Sequence, residues 1–213
     1  MLERIPMSEL TERYFFCDPA SGRNPQLKNS RARASIVGVA PHILKNGRRL
    51  LFVLVAWAAR TSANALQEKI LEVGEQWKPT MFGIESNALQ SLFADLVIGE
   101  AKHRRLRLRL VPIEQPTKID KTWRIRTSLQ PEIANNNIYL LRQHTELATE
   151  IIGFPSASTM DLADGLASIV YHMLPRYSRR SSSELEREAL AEHLRDAGYS
   201  SQEIVRRLGQ PRI

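Results

Sequence analysis

The sequence has a single cysteine, no long apolar run and no glycine loop of the kind that binds phosphate. One cysteine, Cys17, cannot form an internal disulfide or a cysteine-built zinc site, which favours a reducing compartment. No apolar run approaches the roughly 20 residues needed to span a bilayer, so we expect no membrane span. No segment fits G-x-x-x-x-G-K-[ST], and the scattered histidines lack H-E-x-x-H. Nucleotide-binding P-loop folds and zinc hydrolases are therefore disfavoured.

Positive charge is present in excess and is unevenly distributed. The 213 residues include 30 Lys and Arg against 23 Asp and Glu, for a net charge of +7. Residues 100–126 contain nine basic and three acidic residues, whereas 127–175 contain one and five. A basic segment beside an acidic pocket suits a metal-using enzyme that acts on a polyanion, because Lys and Arg bind phosphates and carboxylates bind cations. A solvated charged surface explains the same composition equally well.

Strand patterns come first along the chain, and helix patterns alternate with strands after them. Predicted strands cover 14–17, 34–40, 50–58, 81–85, 106–113 and 138–141, and predicted helices cover 62–77, 87–102, 121–134, 143–152 and 160–174. Short connections between the first three strands predict an antiparallel meander. The order as a whole predicts an α/β domain in which helices cover both faces of a mixed sheet.

The two ends of the chain differ in composition from the middle. Residues 1–12 are polar without a clear period and are interpreted as a tail or linker, so the sheet domain is predicted to span 13–177. Serines and arginines then lead into 178–213, where two short amphipathic helices predict a helical appendage. This appendage is either a helix-turn-helix that contacts DNA or a plain hairpin used for docking.

Four carboxylates lie where predicted elements begin or end. Asp18 and Glu85 follow buried strands, and Asp161 and Asp164 lie three residues apart in the first turn of a helix, on one side of it. Each residue alone fits a turn or a helix N-terminus. Together they provide the oxygen ligands that Mg²⁺ and Mn²⁺ prefer, and two such ions about 4 Å apart can support phosphodiester hydrolysis. Clustered carboxylates repel one another without a cation, which also favours a metal site.

Basic residues that could bind the DNA backbone follow the second carboxylate. Arg105, Arg107 and Arg109 alternate with leucines, which places these arginines on one face of the predicted strand 106–113. Lys121 and Arg124 are further candidates in the helix that follows. Between them, Trp123 either packs between helix and sheet, the simpler expectation, or stacks on an unpaired base.

Four short motifs in a fixed order resemble a known family. They are Tyr-Phe-Phe-Cys-Asp-Pro-Ala at 14–20, Gly-Ile-Glu-Ser-Asn at 83–87, Lys-Thr-Trp-Arg-Ile at 121–125 with Gln-Pro at 130–131, and Asp-Leu-Ala-Asp-Gly-Leu-Ala at 161–167. Over roughly residues 13–175 they resemble the C-terminal nuclease domain of the large terminase subunit of tailed bacteriophages, which has an RNase H-like fold. That family's last motif begins with paired aspartates, but this chain has Met160 at the first position. Either Asp161 or Asp164 could therefore be the third ligand.

The resemblance implies a metal-dependent endonuclease that cuts concatemeric double-stranded DNA. It implies two Mg²⁺ or Mn²⁺ ions held by Asp18, Glu85, Asp161 and Asp164. Its implied partners are double-stranded DNA, a packaging ATPase domain, a small terminase subunit and a portal, in the cytoplasm of an infected bacterial host. No segment resembles the ATPase domain, so the chain is either an excised domain or a stand-alone nuclease. The alternatives are a junction resolvase or transposase of the same superfold, and a non-catalytic DNA-binding or assembly module.

Overall fold

The computed structural model describes residues 6–19, 33–86, 90–115 and 120–174, together with Glu203. Contacts divide the chain into two units, Met1–Met173 and Leu174–Ile213, and all elements named below belong to the first. Apart from Glu203, the predicted appendage at 178–213 lies outside the described residues, as does its predicted boundary at 177. In the described part of the chain, no helix is long and apolar enough to cross a membrane.

Six strands form one mixed sheet. They are β1 (Tyr14–Asp18), β2 (Ala34–Ile43), β3 (Arg49–Ala59), β4 (Met81–Glu85), β5 (Leu110–Ile113) and β6 (Ile138–Tyr139). The spatial order is β5-β4-β1-β2-β3-β6. The first three strands form the predicted antiparallel meander, while β4 pairs parallel to β1, β5 to β4 and β6 to β3. The structure thus confirms the predicted fold class, a mixed α/β sheet in the strand order of the RNase H-like fold.

Helices pack on both faces of this sheet. They are α1 (Ala63–Trp77), α2 (Gln90–His103), α3 (Lys121–Ala134), α4 (Thr145–Gly153) and α5 (Asp161–Ser168), the last followed by a π-helical turn, Ile169–Met173. Ser62 caps α1, because its hydroxyl accepts a hydrogen bond from the Ala65 amide. Asp120 caps α3 in the same way through the Trp123 amide.

The core on the α1 and α2 side fixes which side chains face the opposite side. Phe15 and Cys17 of β1 belong to that core and are fully buried. Because side chains alternate along a strand, Phe16 and Asp18 face the other side, where α5 packs against β1, β2 and β3. The same core includes Leu10, a fully buried residue that lies within the predicted tail 1–12. Core packing therefore extends upstream of residue 13.

The arginine segment departs from its predicted strand. β5 begins only at Leu110, and Arg105 has a left-handed φ of 57° in the turn that follows α2. The predicted alternation nevertheless holds, since Arg105, Arg107 and Arg109 are exposed while the leucines between them pack against the core. The leucines thus anchor an extended segment whose arginines face solvent.

Candidate active site

Asp18 and Glu85 lie side by side at the carboxyl ends of two neighbouring strands. β1 and β4 are parallel, and Cys17 pairs with Ile84, so the two carboxylate residues are level with each other. Neighbouring strands are about 5 Å apart, which places the two backbones at that spacing. Both side chains face α5, because the preceding residues of both strands, Cys17 and Ile84, point into the opposite core.

Helix α5 brings the third carboxylate to this face. It packs tightly on β2, since a Cβ added at Gly165 would lie only 2.9 Å from a methyl of Val37. At its N-terminal end, the Ser35 hydroxyl donates to the backbone carbonyl of Asp161 across 3.3 Å. This close approach seats the first turn of α5 on the sheet, with Asp164 buried beneath it.

The pKa of Glu85 reflects both its burial and the charges of the neighbouring carboxylates. Burial, followed by the negative charges of Asp18 and Asp164, raises the pKa of Glu85 from the ordinary 4.5 to about 7, against the opposing charges of Arg124 and Lys121. Asp164 is thus the carboxylate of the 161–167 motif whose charge acts on Glu85. The structure therefore brings together Asp18, Glu85 and Asp164.

Two cations predicted to bind DNA contact the carboxylates. Arg124 donates to Asp164 at 2.5 and 3.2 Å and is only 6% exposed. Its guanidinium is a buried partner of Asp164, and the contact of Arg124 with the DNA backbone stays a prediction. The Lys121 ammonium lies 3.3 Å from Asp164 and 3.8 Å from Asp161, and its side chain is 40% exposed. Lys121 therefore remains available to a phosphate on the open side of the site.

Asp161 belongs to a second network on the outer side of α5. Arg33 donates to Asp161 across 3.2 Å and also pairs with Glu146 and Glu150 of α4. The buried carboxylate of Glu150 in turn accepts from the Ala163 amide at 2.8 Å. This network ties α4 to α5 through Asp161 and the Ala163 amide. No pattern in the sequence links Arg33 to residues more than a hundred positions away, so sequence analysis missed it.

The carboxylates suit a hard divalent cation by their chemistry, although they do not yet form a coordination shell. Within the described ranges, no three His, Cys, Asp or Glu side chains converge closely enough to coordinate one ion. Lys121 and Arg124 partly neutralise Asp164 instead. The donors are all carboxylate oxygens, which Mg²⁺ and Mn²⁺ prefer. Asp18, Glu85 and Asp164 are the residues that would hold such an ion, with Asp161 at the margin.

A polar chain that the sequence analysis did not predict lies next to Asp164. Gln115, which follows β5, donates to the Ser168 hydroxyl at 2.8 Å, and its carbonyl oxygen lies 3.3 Å from Nε2 of His172. Burial and the charge of Arg124 lower the pKa of His172, while Asp164 opposes the shift. The sequence does contain one signal for this arrangement, since residues 164, 168 and 172 recur every four positions along one helical face.

Cys17 precedes Asp18 in β1 and is a buried residue of the core. It is fully buried, and burial, followed by the charges of Asp18 and Glu85, raises the pKa of its thiol well above the usual value. A neutral, inaccessible thiol packs as a small apolar side chain.

The arginine segment lies away from the carboxylates. Leu110 pairs with Phe82, so Arg109 is level with Met81, four residues before Glu85 and about 13 Å from it along the sheet. Arg107 and Arg105 precede Arg109 and lie beyond that end of the strand. The basic residues are adjacent in sequence to the acidic ones, but the fold places them at the amino ends of strands whose carboxyl ends bear the carboxylates.

Two solved structures of one protein are similar to this chain in backbone. Thermus thermophilus RuvC matches with 14% sequence identity and a TM-score of 0.44 over 79% of this chain and 97% of that chain. Thermus thermophilus RuvC in complex with a Holliday junction substrate matches with 14% identity and a TM-score of 0.45 over 77% of this chain and 94% of that chain. No protein-family model matches the sequence, and no curated protein matches it.

Proposed function

We propose that this protein is a divalent-metal-dependent nuclease that hydrolyses DNA phosphodiester bonds. The observation that carries the proposal is that Asp18, Glu85 and Asp164 lie on one face of an RNase H-like sheet, where burial, followed by the charges of Asp18 and Asp164, raises the pKa of Glu85 to about 7. Such a cluster is electrostatically costly, and a divalent cation would remove the cost. We expect a protein to keep such a costly group of carboxylates where the bound cation takes part in binding or catalysis.

Each residue of the cluster has a distinct role in this proposal. A bound divalent cation supplies a Lewis acid and a more acidic water. Asp18, Glu85 and Asp164 would hold it, and the buried Arg124 fixes the orientation of the Asp164 carboxylate through two hydrogen bonds. Lys121, on the open side, provides a positive charge for a substrate phosphate.

Two substrate classes are open to such a site. The resemblance to terminase nuclease domains implies linear concatemeric duplex, with the ATPase, small terminase subunit and portal as partners, and these remain predictions. A junction resolvase would act on branched DNA, as the Holliday junction bound to RuvC illustrates. Trp123, an exposed residue of α3 that immediately precedes Arg124, favours DNA that contains unpaired bases.

Digestion of three labelled DNA substrates tests the proposal. Supercoiled plasmid, linear duplex and a four-way junction of matched sequence are incubated with Mg²⁺, Mn²⁺ or EDTA. We expect cleavage with either metal and none in EDTA, and the preferred substrate separates the two classes. Intact DNA on all three substrates in Mn²⁺ would instead indicate a non-catalytic DNA-binding or assembly module.

Matched variants assign the activity to the cluster. Asp18→Asn and Glu85→Gln should abolish cleavage, because each removes ligand charge at nearly constant volume. Asp95→Asn, the same change on the exposed surface of α2, should cut like the wild type. Wild-type cleavage by Asp18→Asn or by Glu85→Gln would remove that residue from the site.

A further inference from the structure

Trp123 is exposed beside the candidate site. Trp123 is 54% exposed to solvent, so the expectation that it packs between helix and sheet is wrong. It lies in the first turn of α3, immediately before Arg124, and the Asp120 cap holds that turn through the Trp123 amide. A large aromatic ring is thus fixed to a rigid helix end next to the residue that binds Asp164. Exposing an indole in this way gives up apolar burial, which a binding role would explain.

Beyond the Asp120 cap, the side chains that flank Trp123 are cationic or uncharged. Residues three and four positions apart share a helix face, so Arg126 and Thr127 flank the ring, and Gln130 follows one turn later. The guanidinium of Arg126 lies 5.9 Å above the Phe154 ring. The only acidic residue of α3 is Glu132, which is buried and pairs with Arg49. Past the Asp120 cap, the outer face of α3 therefore offers an aromatic ring and positive charge without a carboxylate.

This combination fits an unpaired base better than an apolar protein surface. Single-stranded nucleic acid binds through aromatic rings that stack on bases and cations that bind the backbone. Bases within a duplex offer no free face to the indole, whereas frayed, flapped or branched DNA does. Lys121, two residues before Trp123, contacts Asp161 and Asp164. Trp123 lies on a different face of α3 from Lys121, so a DNA strand stacked on Trp123 would reach the carboxylates by passing around the first turn of α3.

We propose that Trp123 stacks on an unpaired base of the DNA substrate, and that Arg126 binds the phosphate next to that base. The preferred substrate is then DNA with unpaired bases close to the bond that is cut. This substrate preference rests on the proposed nuclease function, but the stacking contact itself does not require cleavage.

Binding in EDTA tests the stacking contact separately from catalysis. The full chain is titrated with fluorescently labelled single-stranded DNA, with the duplex of the same sequence and length, and with the corresponding RNA strand. We expect Trp123→Ala to weaken binding to single-stranded DNA by about 5- to 150-fold, the loss expected for one stacked base. Affinity for duplex should stay within a factor of two. Trp123→Phe, which keeps an aromatic ring, should restore most of the affinity.

The control is Leu96→Ala on α2, on the opposite face of the sheet, where another exposed apolar side chain is 64% accessible. It should bind both DNA forms like the wild type. The proposal is overturned if Trp123→Ala binds single-stranded DNA normally, if it loses duplex and single-stranded affinity equally, or if the wild type prefers the RNA strand. Failure of the nuclease proposal would appear differently, as intact DNA in Mn²⁺ with the effect of Trp123→Ala on binding unchanged.

Discussion

Glu85 is the residue at which the electrostatics of the site are most visible. Its carboxyl group is partly buried and faces Asp18 and Asp164, and these surroundings raise its pKa to about 7. Below pH 4.5 the group is neutral in both the folded and unfolded states. As the pH rises past 4.5, the unfolded chain releases the proton more readily than the folded chain does. The folded protein therefore loses stability up to about pH 7 when no cation is bound.

We expect Glu85→Gln to remove this loss of stability. In EDTA, the variant should gain thermal stability relative to the wild type as the pH is raised from 5 to 8, because only the wild type acquires a buried negative charge. Thermal unfolding followed by circular dichroism at both pH values measures the difference. A difference between variant and wild type that is the same at pH 5 and pH 8 would show that Glu85 does not titrate in this range.

The carboxylates illustrate what the sequence can and cannot specify for single residues. Asp18 and Glu85 were predictable, because a carboxylate that follows a buried strand lies at a sheet edge. The choice between Asp161 and Asp164 was not, because residues three apart share a helix face. Only the tertiary fold, which pairs Asp161 with Arg33 and buries Asp164 near Glu85, distinguishes them.

At the scale of elements, the placement of α5 on the sheet depends on a glycine. Gly165 lets the helix approach β2 so closely that any Cβ would press on Val37. Asp164 precedes this glycine, so the contact also sets the distance between its carboxylate and the strand ends. On α2, by contrast, nothing lies within 4 Å of the position a Cβ would take at Gly99.

We expect alanine at these two glycines to have opposite effects. Gly165→Ala should destabilise the protein, because overpacking against Val37 costs about 1–3 kcal/mol. The higher helix propensity of alanine offsets part of this cost. Gly99→Ala should stabilise it by up to about 1 kcal/mol, because only the propensity gain applies. Urea unfolding of the two variants and the wild type measures both changes. A stability gain in Gly165→Ala would contradict the close packing of α5 on β2.

The element boundaries show where sequence patterns are sufficient. The strand Met81–Glu85 and the helix Lys121–Ala134 begin and end where the apolar period and flanking residues predict. The predicted strand at 106–113 is too long because alternation alone cannot distinguish a paired strand from an extended segment that buries leucines against α1. Trp123 could not be placed from the sequence, since its exposure depends on where α3 lies over the sheet.

Across the molecule, the two charged regions are separated by the fold. The carboxylates lie at the carboxyl ends of β1 and β4, and the exposed arginines precede β5 at the opposite end. DNA that contacts both regions must run along the β-strands, from their amino ends to their carboxyl ends. The arginine segment would then contribute affinity for the DNA and orient it, and the carboxylates would act at a separate point on the DNA.

We expect weaker DNA binding when Arg105, Arg107 and Arg109 are replaced together by glutamine. The affinity of this triple variant should also depend less on the salt concentration. Each phosphate contact contributes about 0.9 to the slope of log affinity against log salt, so the slope should fall by up to about three units. Titrations with duplex DNA at several salt concentrations give both slopes. An unchanged slope in the triple variant would mean that this segment faces away from bound DNA.

The most direct measurement is calorimetric titration of Mn²⁺ into the full chain at pH 8, for the wild type and for Asp18→Asn, Glu85→Gln and Asp95→Asn. The account predicts that the wild type and Asp95→Asn bind Mn²⁺ with the same affinity. Asp18→Asn and Glu85→Gln should bind it at least tenfold more weakly, because each removes a ligand and a negative charge. Equal Mn²⁺ affinity in all four proteins would contradict the metal site and, with it, the proposed chemistry.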